Sequence, residues 1–128
     1  MSKEVVRTEA APAPFQGAPY SQAIKANGLV FVSGQLSLRP GDKELLATDI
    51  AGQTEQVFAN LRAILEEAGT SLDHLVKTTV FLQNLDDFAA MNEVYARHVG
   101  ERPPARSTVE VAKLPSGALV EIEAIALI

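Results

Sequence analysis

The alternation of apolar and polar residues predicts two strands within the last 26 residues, joined by the turn Leu114-Pro115-Ser116-Gly117. Successive side chains of a strand point to opposite faces. One face of the final strand is wholly apolar and consists of Val120, Ile122, Ala124, Ala126 and Ile128. The other face carries Glu121 and Glu123 between leucine and isoleucine residues. This pattern predicts a second buried surface, where a charge needs a partner or a ligand.

The N-terminal part of the chain predicts a β-hairpin. Asn27-Gly28 lies between two apolar runs, 20–26 and 29–35, and this dipeptide is typical of a two-residue turn. The near-continuous apolar run of the second strand indicates burial on both faces. Val5-Val6-Arg7 is a candidate edge strand, and the proline-rich residues 8–19 predict an extended loop.

Helical spacing of apolar residues predicts a helix over 49–68. Its buried stripe comprises Ile50, Thr54, Val57, Phe58, Leu61, Leu65 and Ala68. Thr48 or Asp49 is expected to cap the start, and Gly69 is placed to end the helix. Gly52 in the first turn costs about 1 kcal/mol relative to alanine, which the stripe should outweigh.

A second helix is predicted after Asn84, its N-cap, and is ended by Gly100. Its stripe comprises Leu85, Phe88, Met91 or Asn92, Tyr95 and Val99. Before it, residues 71–74 predict a single helical turn capped by Ser71, and the β-branched run 76–82 predicts a strand.

The element order is therefore β-β-α-β-α-β-β, with the candidate edge strand in front. It predicts one domain over residues 1–128, of the α+β class, with two helices covering one face of a sheet. No further helix is available for the other face, whose carboxylates imply a cover. Another subunit is the expected cover, in a cyclic homo-oligomer.

Composition narrows the function. The net charge is −5 and the pI about 5.0, which argues against a nucleic-acid partner because such proteins normally carry a basic patch. No apolar stretch approaches the length of a membrane span, and Met1-Ser2-Lys3-Glu4 leads into no apolar core of a secretory signal. The chain has no cysteine, which excludes disulfides and a cysteine nucleophile. We therefore expect a cytoplasmic protein with no membrane partner.

Arg106 is the first candidate for chemistry. It follows the rigid segment Pro103-Pro104-Ala105, and its planar guanidinium matches a carboxylate. It is either a clamp for a small carboxylate substrate or one half of an ion pair with Glu121, Glu123 or Glu110.

The two carboxylates of the last strand offer acid–base chemistry. Desolvation would raise the pKa of one of them and suit it to general acid–base catalysis, and an intersubunit ion pair is the alternative. Ser33-Gly34-Gln35 ends a buried strand, where Gly34 permits close approach of a ligand or forms a bulge.

Four polar side chains remain as candidates. Tyr20 offers a hydroxyl to a ligand or packs at the edge of the core. Asn92 lies on or beside the apolar stripe, so its amide needs a hydrogen-bond partner or belongs to a site. His74 and His98 are far apart in sequence and lack ligand-like neighbours, so we expect no metal site.

Four segments together resemble the Rid family (reactive intermediate deaminases, formerly YjgF), in particular its RidA branch. These segments are 18–23, 30–35, 77–82 and 104–126, and the likeness extends from about residue 5 to the C-terminus. The resemblance implies a chorismate-mutase-like α+β fold and a homotrimer whose sheets form a central barrel-like core, with sites in clefts between subunits. It also implies cofactor-free hydrolysis of 2-imino acids and 2-aminoacrylate-type enamines to 2-oxo acids and ammonia.

The same resemblance implies roles for particular residues. Arg106 corresponds to the arginine that grips the substrate carboxylate, and Glu121 to the glutamate beside the attacking water. The residues implied to line the cleft are Tyr20, Ser33, Gly34, Asn92 and Thr108. The alternatives are a binding or regulatory module for small acids, a ribonuclease or translation inhibitor, and a chaperone-like protein.

Overall fold

The structure is a computed structural model that describes residues 2–46 and 48–128. Within these ranges the chain forms six strands and two α-helices. In chain order they are β1 (Glu4–Val6), β2 (Ala23–Ala26), β3 (Leu29–Gln35), α1 (Ile50–Glu67), β4 (Leu75–Leu82), α2 (Phe88–Val99), β5 (Ala105–Glu110) and β6 (Val120–Leu127).

The strands form one mixed sheet in the order β1-β2-β3-β6-β4-β5. Only β4 and β5 are parallel, and α2 makes the crossover between them. The predicted α+β class is confirmed. The two strands predicted in the last 26 residues are not neighbours in the sheet, because β4 lies between β5 and β6 and residues 111–119 pass from one side of it to the other.

The core lies between the helices and the apolar face of β6. Four of the five residues predicted for this face are almost completely buried: Val120, Ile122, Ala124 and Ala126. Ile128 lies beyond the strand and is 56% exposed, so the prediction fails at that position. The alternation predicted for the final strand therefore positions both faces correctly.

Helix α1 follows the predicted pattern. Every residue of its expected stripe is buried. The Asp49 side chain caps the helix by accepting a hydrogen bond from the Gly52 N–H at 2.9 Å, and Gly69 has a left-handed φ of 91°. The Thr48 side chain folds over Gly52, leaving no room there for a β-carbon. This contact explains why glycine occupies the first turn despite its low helix propensity.

Helix α2 begins later than predicted. Asn84 caps a short 3-10 turn over 85–87 by accepting from the Asp86 N–H at 2.8 Å, and the α-helix starts at Phe88. Leu85 and Phe88 are exposed rather than part of the buried stripe. The expected Ser71 cap is also wrong, since its hydroxyl contacts His74 Nδ1 and no backbone N–H. Neither described helix is long and apolar enough to cross a membrane.

The second face of the sheet is open in a single chain. Phe31 and Leu127 are 42% and 50% exposed on it, so the prediction that β3 is buried on both faces is not met within one chain. Antiparallel sheets with one solvated face normally carry polar residues there. The exposed apolar side chains on this face are consistent with a covering subunit, and the homotrimer stays a prediction.

A hydrogen-bonded imidazole joins the two helices. His98 Nε2 lies 2.6 Å from Glu55 Oε1, and His98 Nδ1 lies 3.3 Å from a terminal nitrogen of Arg62. Because the guanidinium can only donate, Nδ1 must accept and Nε2 must carry the proton. The ring also stacks on Phe58 at 4.6 Å. The His98 hydrogen bond is the main reason that the pKa of the Glu55 carboxyl lies below its usual value.

We predict that His98→Ala lowers the free energy of unfolding by about 1–3 kcal/mol, because it removes two hydrogen bonds and the stacked ring. Denaturant unfolding measures this value. Arg97→Ala is the matched control, since Arg97 is mostly exposed and reaches Glu55 only at 3.9 Å. It should change stability by less than about 0.5 kcal/mol. Equal losses in the two variants would contradict the proposed role of His98.

Candidate functional site

A bulge in β3 creates the floor of the candidate site. The pairing register between β3 and β6 shifts between Val32 and Gln35, so β3 contains one extra residue there. Bulges re-aim side chains and are common beside active sites. The Glu121 side chain lies directly against Gly34, and a β-carbon at that position would overlap Glu121 Oε2. The Glu121 carboxyl group can therefore contact the bulge only because residue 34 is glycine.

A cavity of about 490 Å³ opens above this bulge. Its polar lining includes Tyr20, Ser33, Glu121 and Glu123, and its apolar lining includes Phe15, Ala18, Leu36 and Pro115. Gly34 and Gln16 complete it. Four predicted site residues, Tyr20, Ser33, Gly34 and Glu121, thus meet in one cavity.

Ser33 is oriented by its neighbours. Its hydroxyl donates to the Ser21 carbonyl oxygen at 2.6 Å, and its backbone N–H donates to the Gln22 carbonyl oxygen at 2.9 Å. Because the hydroxyl proton is engaged in the hydrogen bond to Ser21, the Ser33 oxygen can only accept a hydrogen bond from a ligand.

Tyr20 is oriented in the opposite sense. Its hydroxyl oxygen accepts a hydrogen bond from the Phe15 N–H at 2.6 Å, and the side chain is 41% exposed. The phenol proton stays available, so Tyr20 can donate to an oxygen or nitrogen in the cavity. Tyr20 therefore lines the cavity, as the ligand-binding alternative requires.

The Glu121 carboxyl is the perturbed acid of the site. Burial raises its pKa, and the nearby Glu123 carboxylate raises it further. Desolvation and a like charge both disfavour the ionised form. A carboxyl with a raised pKa exchanges a proton more readily near neutral pH, as a general acid or base requires.

Arg106 lies on the other face of the sheet. It pairs with Thr78 in the β4–β5 ladder, and the Thr78 hydroxyl contacts the Tyr95 hydroxyl of α2 at 2.6 Å. The Arg106 guanidinium stacks over the rings of Tyr95 at 4.6 Å and Phe88 at 5.5 Å. Such cation–π contacts orient the guanidinium without neutralising it.

No carboxylate among residues 2–46 and 48–128 lies within 4.0 Å of a guanidinium nitrogen of Arg106. Glu110, one of its predicted partners, instead accepts a hydrogen bond from the Leu85 N–H at 2.9 Å. The other two, Glu121 and Glu123, extend from the opposite face. The ion-pair alternatives for Arg106 are therefore wrong within one chain.

Two polar atoms near Arg106 are buried and lack a hydrogen-bond partner in the described part of the chain. They are Asn92 Oδ1 and Thr108 Oγ1. Thr108 follows Arg106 on the same face of β5, and Asn92 lies between Phe88 and Tyr95 on α2. Buried polar groups normally have partners. Asn92 thus makes no helix-to-sheet hydrogen bond through this oxygen, and a site role is the alternative that stays open.

The predicted residues therefore fall into two half-sites. We call Tyr20, Ser33, Gly34 and Glu121 the carboxyl half-site, and Arg106, Asn92 and Thr108 the guanidinium half-site. They occupy opposite faces of one sheet, so one chain cannot bring them together. Sequence reasoning missed Phe88 and Tyr95 as supports of Arg106, because their spacing predicts only core packing.

Comparison with known proteins identifies the class. Residues 8–128 match the family described as Endoribonuclease L-PSP, and the chain belongs to this family. A relative named Reactive Intermediate Deaminase A, chloroplastic, from Arabidopsis thaliana is 49% identical over 126 residues, which are 98% of this chain and 66% of that protein. The predicted membership of the Rid family is thereby confirmed, and this family includes reactive intermediate deaminases.

Two further proteins are similar over almost their full length. A RutC family protein of Pyrococcus abyssi is 53% identical over 126 residues, covering 98% of each chain. The E. coli protein TdcF, solved with bound serine, has a TM-score of 0.89 at 37% identity and also covers 98% of each chain. These three relatives thus come from a plant, an archaeon and a bacterium, and the fold is shared with the bacterial protein.

We predict that Glu121→Gln stabilises the folded chain at neutral pH. Because the carboxyl pKa is raised on folding, wild-type stability falls as the pH rises through the folded pKa, and glutamine removes this loss. Thermal unfolding from about pH 4 to about pH 8 measures it. The gain in Tm should grow with pH. Glu93→Gln, on an exposed position of α2, is the control and should show no such growth. A Glu121→Gln gain that is absent or independent of pH would contradict the raised pKa.

Proposed function

We propose that this protein hydrolyses small 2-imino acids and their enamine tautomers to 2-oxo acids and ammonia, in a site assembled from two copies of the chain. The observation that carries the proposal is an Arg106 guanidinium without a carboxylate partner in the described part of its own chain, on the face opposite a carboxyl group with a raised pKa. The guanidinium half-site supplies a group that can bind a carboxylate, and the carboxyl half-site supplies a group that can transfer a proton.

Arg106 binds the substrate carboxylate. Its guanidinium is held by two aromatic rings, so its donors are oriented before a ligand arrives. The serine bound to TdcF supports a ligand of this kind, because serine carries the same carboxylate next to a nitrogen-bearing carbon. Fixing the carboxylate places C2 of the imine in a defined position over the Glu121 carboxyl.

Glu121 then transfers protons from the attacking water to the leaving nitrogen. As the water oxygen bonds to C2, the C=N bond becomes a C–N bond and the water gives a proton to the Glu121 carboxylate. Glu121 returns that proton to the nitrogen, which gives a carbinolamine with an NH2 group. Glu121 then carries the proton of the C2 hydroxyl to this nitrogen as the C–N bond breaks, so that ammonia leaves and the 2-oxo group forms. An enamine first takes up a proton at C3 and loses one from its nitrogen to become the imine. Imines hydrolyse unaided in water, so orientation and modest acid–base assistance suffice.

The competing functions receive less support. A non-catalytic acid-binding module would use the same Arg106, and release of ammonia from a freshly generated imine distinguishes it from an enzyme. The family description includes a ribonuclease, but a net charge of −5 does not favour RNA. Nothing in the site geometry favours a chaperone-like role.

We predict that Arg106→Ala and Glu121→Gln each lower kcat/KM for imine hydrolysis at least about 100-fold. Arg106→Ala loses the carboxylate clamp, and Glu121→Gln loses proton transfer. When the two variants are unfolded together and refolded as a mixture, about a quarter of the sites combine both native residues if copies assort at random. Activity should therefore return to about that fraction of wild type.

The control mixture combines Arg106→Ala with the Arg106→Ala/Glu121→Gln double variant. It should stay inactive, because neither chain supplies the guanidinium. Recovery in the control, or no recovery in the first mixture when size-exclusion chromatography shows mixed assemblies, would rule out a site shared between copies. Wild-type chain that releases no ammonia above the uncatalysed rate would rule out the deaminase.

We also predict that Gly34→Ala lowers kcat about 10- to 100-fold with little change in stability. The added methyl group displaces the flexible end of Glu121, and a shift of about 1 Å in a catalytic group has effects of this size. In the Glu121→Gln background the same substitution should lower kcat by a much smaller factor, since the group that it displaces no longer transfers a proton. Additive losses in the two backgrounds would mean that Gly34 acts independently of Glu121.

A further inference from the structure

The same backbone turn occurs twice around the carboxyl half-site cavity. Residues 15–17 and 115–117 each form a single 3-10 turn in which a non-glycine residue with left-handed φ precedes a left-handed glycine. The φ values are 55° and 70° at Gln16 and Gly17, and 54° and 73° at Ser116 and Gly117. A left-handed conformation is unfavourable for a residue with a side chain, and such positions concentrate at functional sites.

The surrounding structure holds both turns in place. The first turn is closed by the Ala18 N–H donating to the Phe15 carbonyl oxygen at 3.1 Å, and it is tied to Tyr20 through the Phe15 N–H. The second is closed by the equivalent bond from the Ala118 N–H to the Pro115 carbonyl oxygen at 3.0 Å. The two turns also share a small apolar cluster, since Phe15 packs against buried Leu36, Leu114 and Ala118.

The two turns differ in what they present to the cavity. The first lines it with Phe15 and Gln16, whereas the second contributes Pro115 and not Ser116. The remaining lining on this side is apolar: Phe15, Ala18, Leu36 and Pro115. The Gln16 carboxamide makes no hydrogen bond with any residue in the described ranges. Together with the Tyr20 hydroxyl, which accepts from the Phe15 N–H, it supplies the polar groups of an otherwise apolar wall.

The geometry points to Gln16 as a specificity-determining residue that selects 2-imino acids whose side chain carries a hydrogen-bonding group. This inference rests on the proposed function. With the substrate carboxylate on Arg106 and C2 beside Glu121, the substrate side chain extends toward the wall that contains neither group. Apolar walls accept alkyl chains without distinguishing polar from apolar ends, whereas a carboxamide that donates and accepts favours a hydroxyl.

The test uses two substrates that differ by one group. The 2-imino acids from homoserine and from norvaline have the same chain length and end in a hydroxyl and a methyl group, respectively. Each is generated in situ by an amino-acid oxidase, and formation of the 2-oxo acid above the uncatalysed rate gives kcat/KM. The measured quantity is the ratio of kcat/KM for the homoserine-derived imine to that for the norvaline-derived imine.

Gln16→Met keeps the unbranched side chain and removes the amide. We expect it to lower the ratio about 3- to 10-fold, the effect of one hydrogen bond. The imine derived from alanine, whose side chain has no hydrogen-bonding group, serves as a reference substrate. Gln16→Asn keeps a carboxamide and tolerates the left-handed backbone, so it should recover part of the ratio. Ser116→Ala is the control, because Ser116 has the same backbone conformation but does not line the cavity.

A Gln16→Met ratio equal to that of the wild type would overturn the inference, as would an equal change in Ser116→Ala. Those outcomes leave the deaminase proposal intact, because the wild type would still hydrolyse both imines. If the wild type hydrolyses none of the three imines, both the proposed function and the inference fail.

Discussion

The alternation of side chains along β6 is the constraint on which the rest of the structure depends. One face of this strand supplies the buried residues on which α1 rests, and the other supplies Glu121 and Glu123. A register slip of one residue would exchange the two faces and would bury the carboxylates under the helices. The same alternation in β5 directs Arg106 toward α2. Core and site are therefore fixed by one backbone register.

Much of the fold can be predicted from the sequence because local signals agree with tertiary packing. Asn27-Gly28 fixes the first hairpin, and Asp49 and Gly69 bound α1 on either side of a continuous stripe. These local sequence signals do not predict which strands are neighbours when the strands are far apart in the chain. Nothing in residues 105–128 shows that β4 is inserted between the last two strands, since that arrangement depends on the crossover made by α2.

The sequence predicts which residues belong to the candidate site. It does not predict that they lie in two half-sites on opposite faces of the sheet. Glu121 is detectable because a carboxylate within an apolar strand violates the expected pattern, and Arg106 because a rigid proline segment precedes it. That they lie on opposite faces depends on strand order, which the sequence does not encode locally. The left-handed conformation of Gln16 is not visible in the sequence, because it appears only once the loop is folded against Leu36 and Leu114.

The opposite-facing half-sites have a consequence for how sites are counted in an assembly. In the proposed arrangement each chain meets one neighbour through its guanidinium half-site and the other through its carboxyl half-site, a head-to-tail contact. A closed ring then holds as many complete sites as chains, whereas an open pair holds one and an isolated chain none. Specific activity per chain would therefore fall on dilution, as rings open into pairs and pairs separate into isolated chains. Closing the ring would complete the last site.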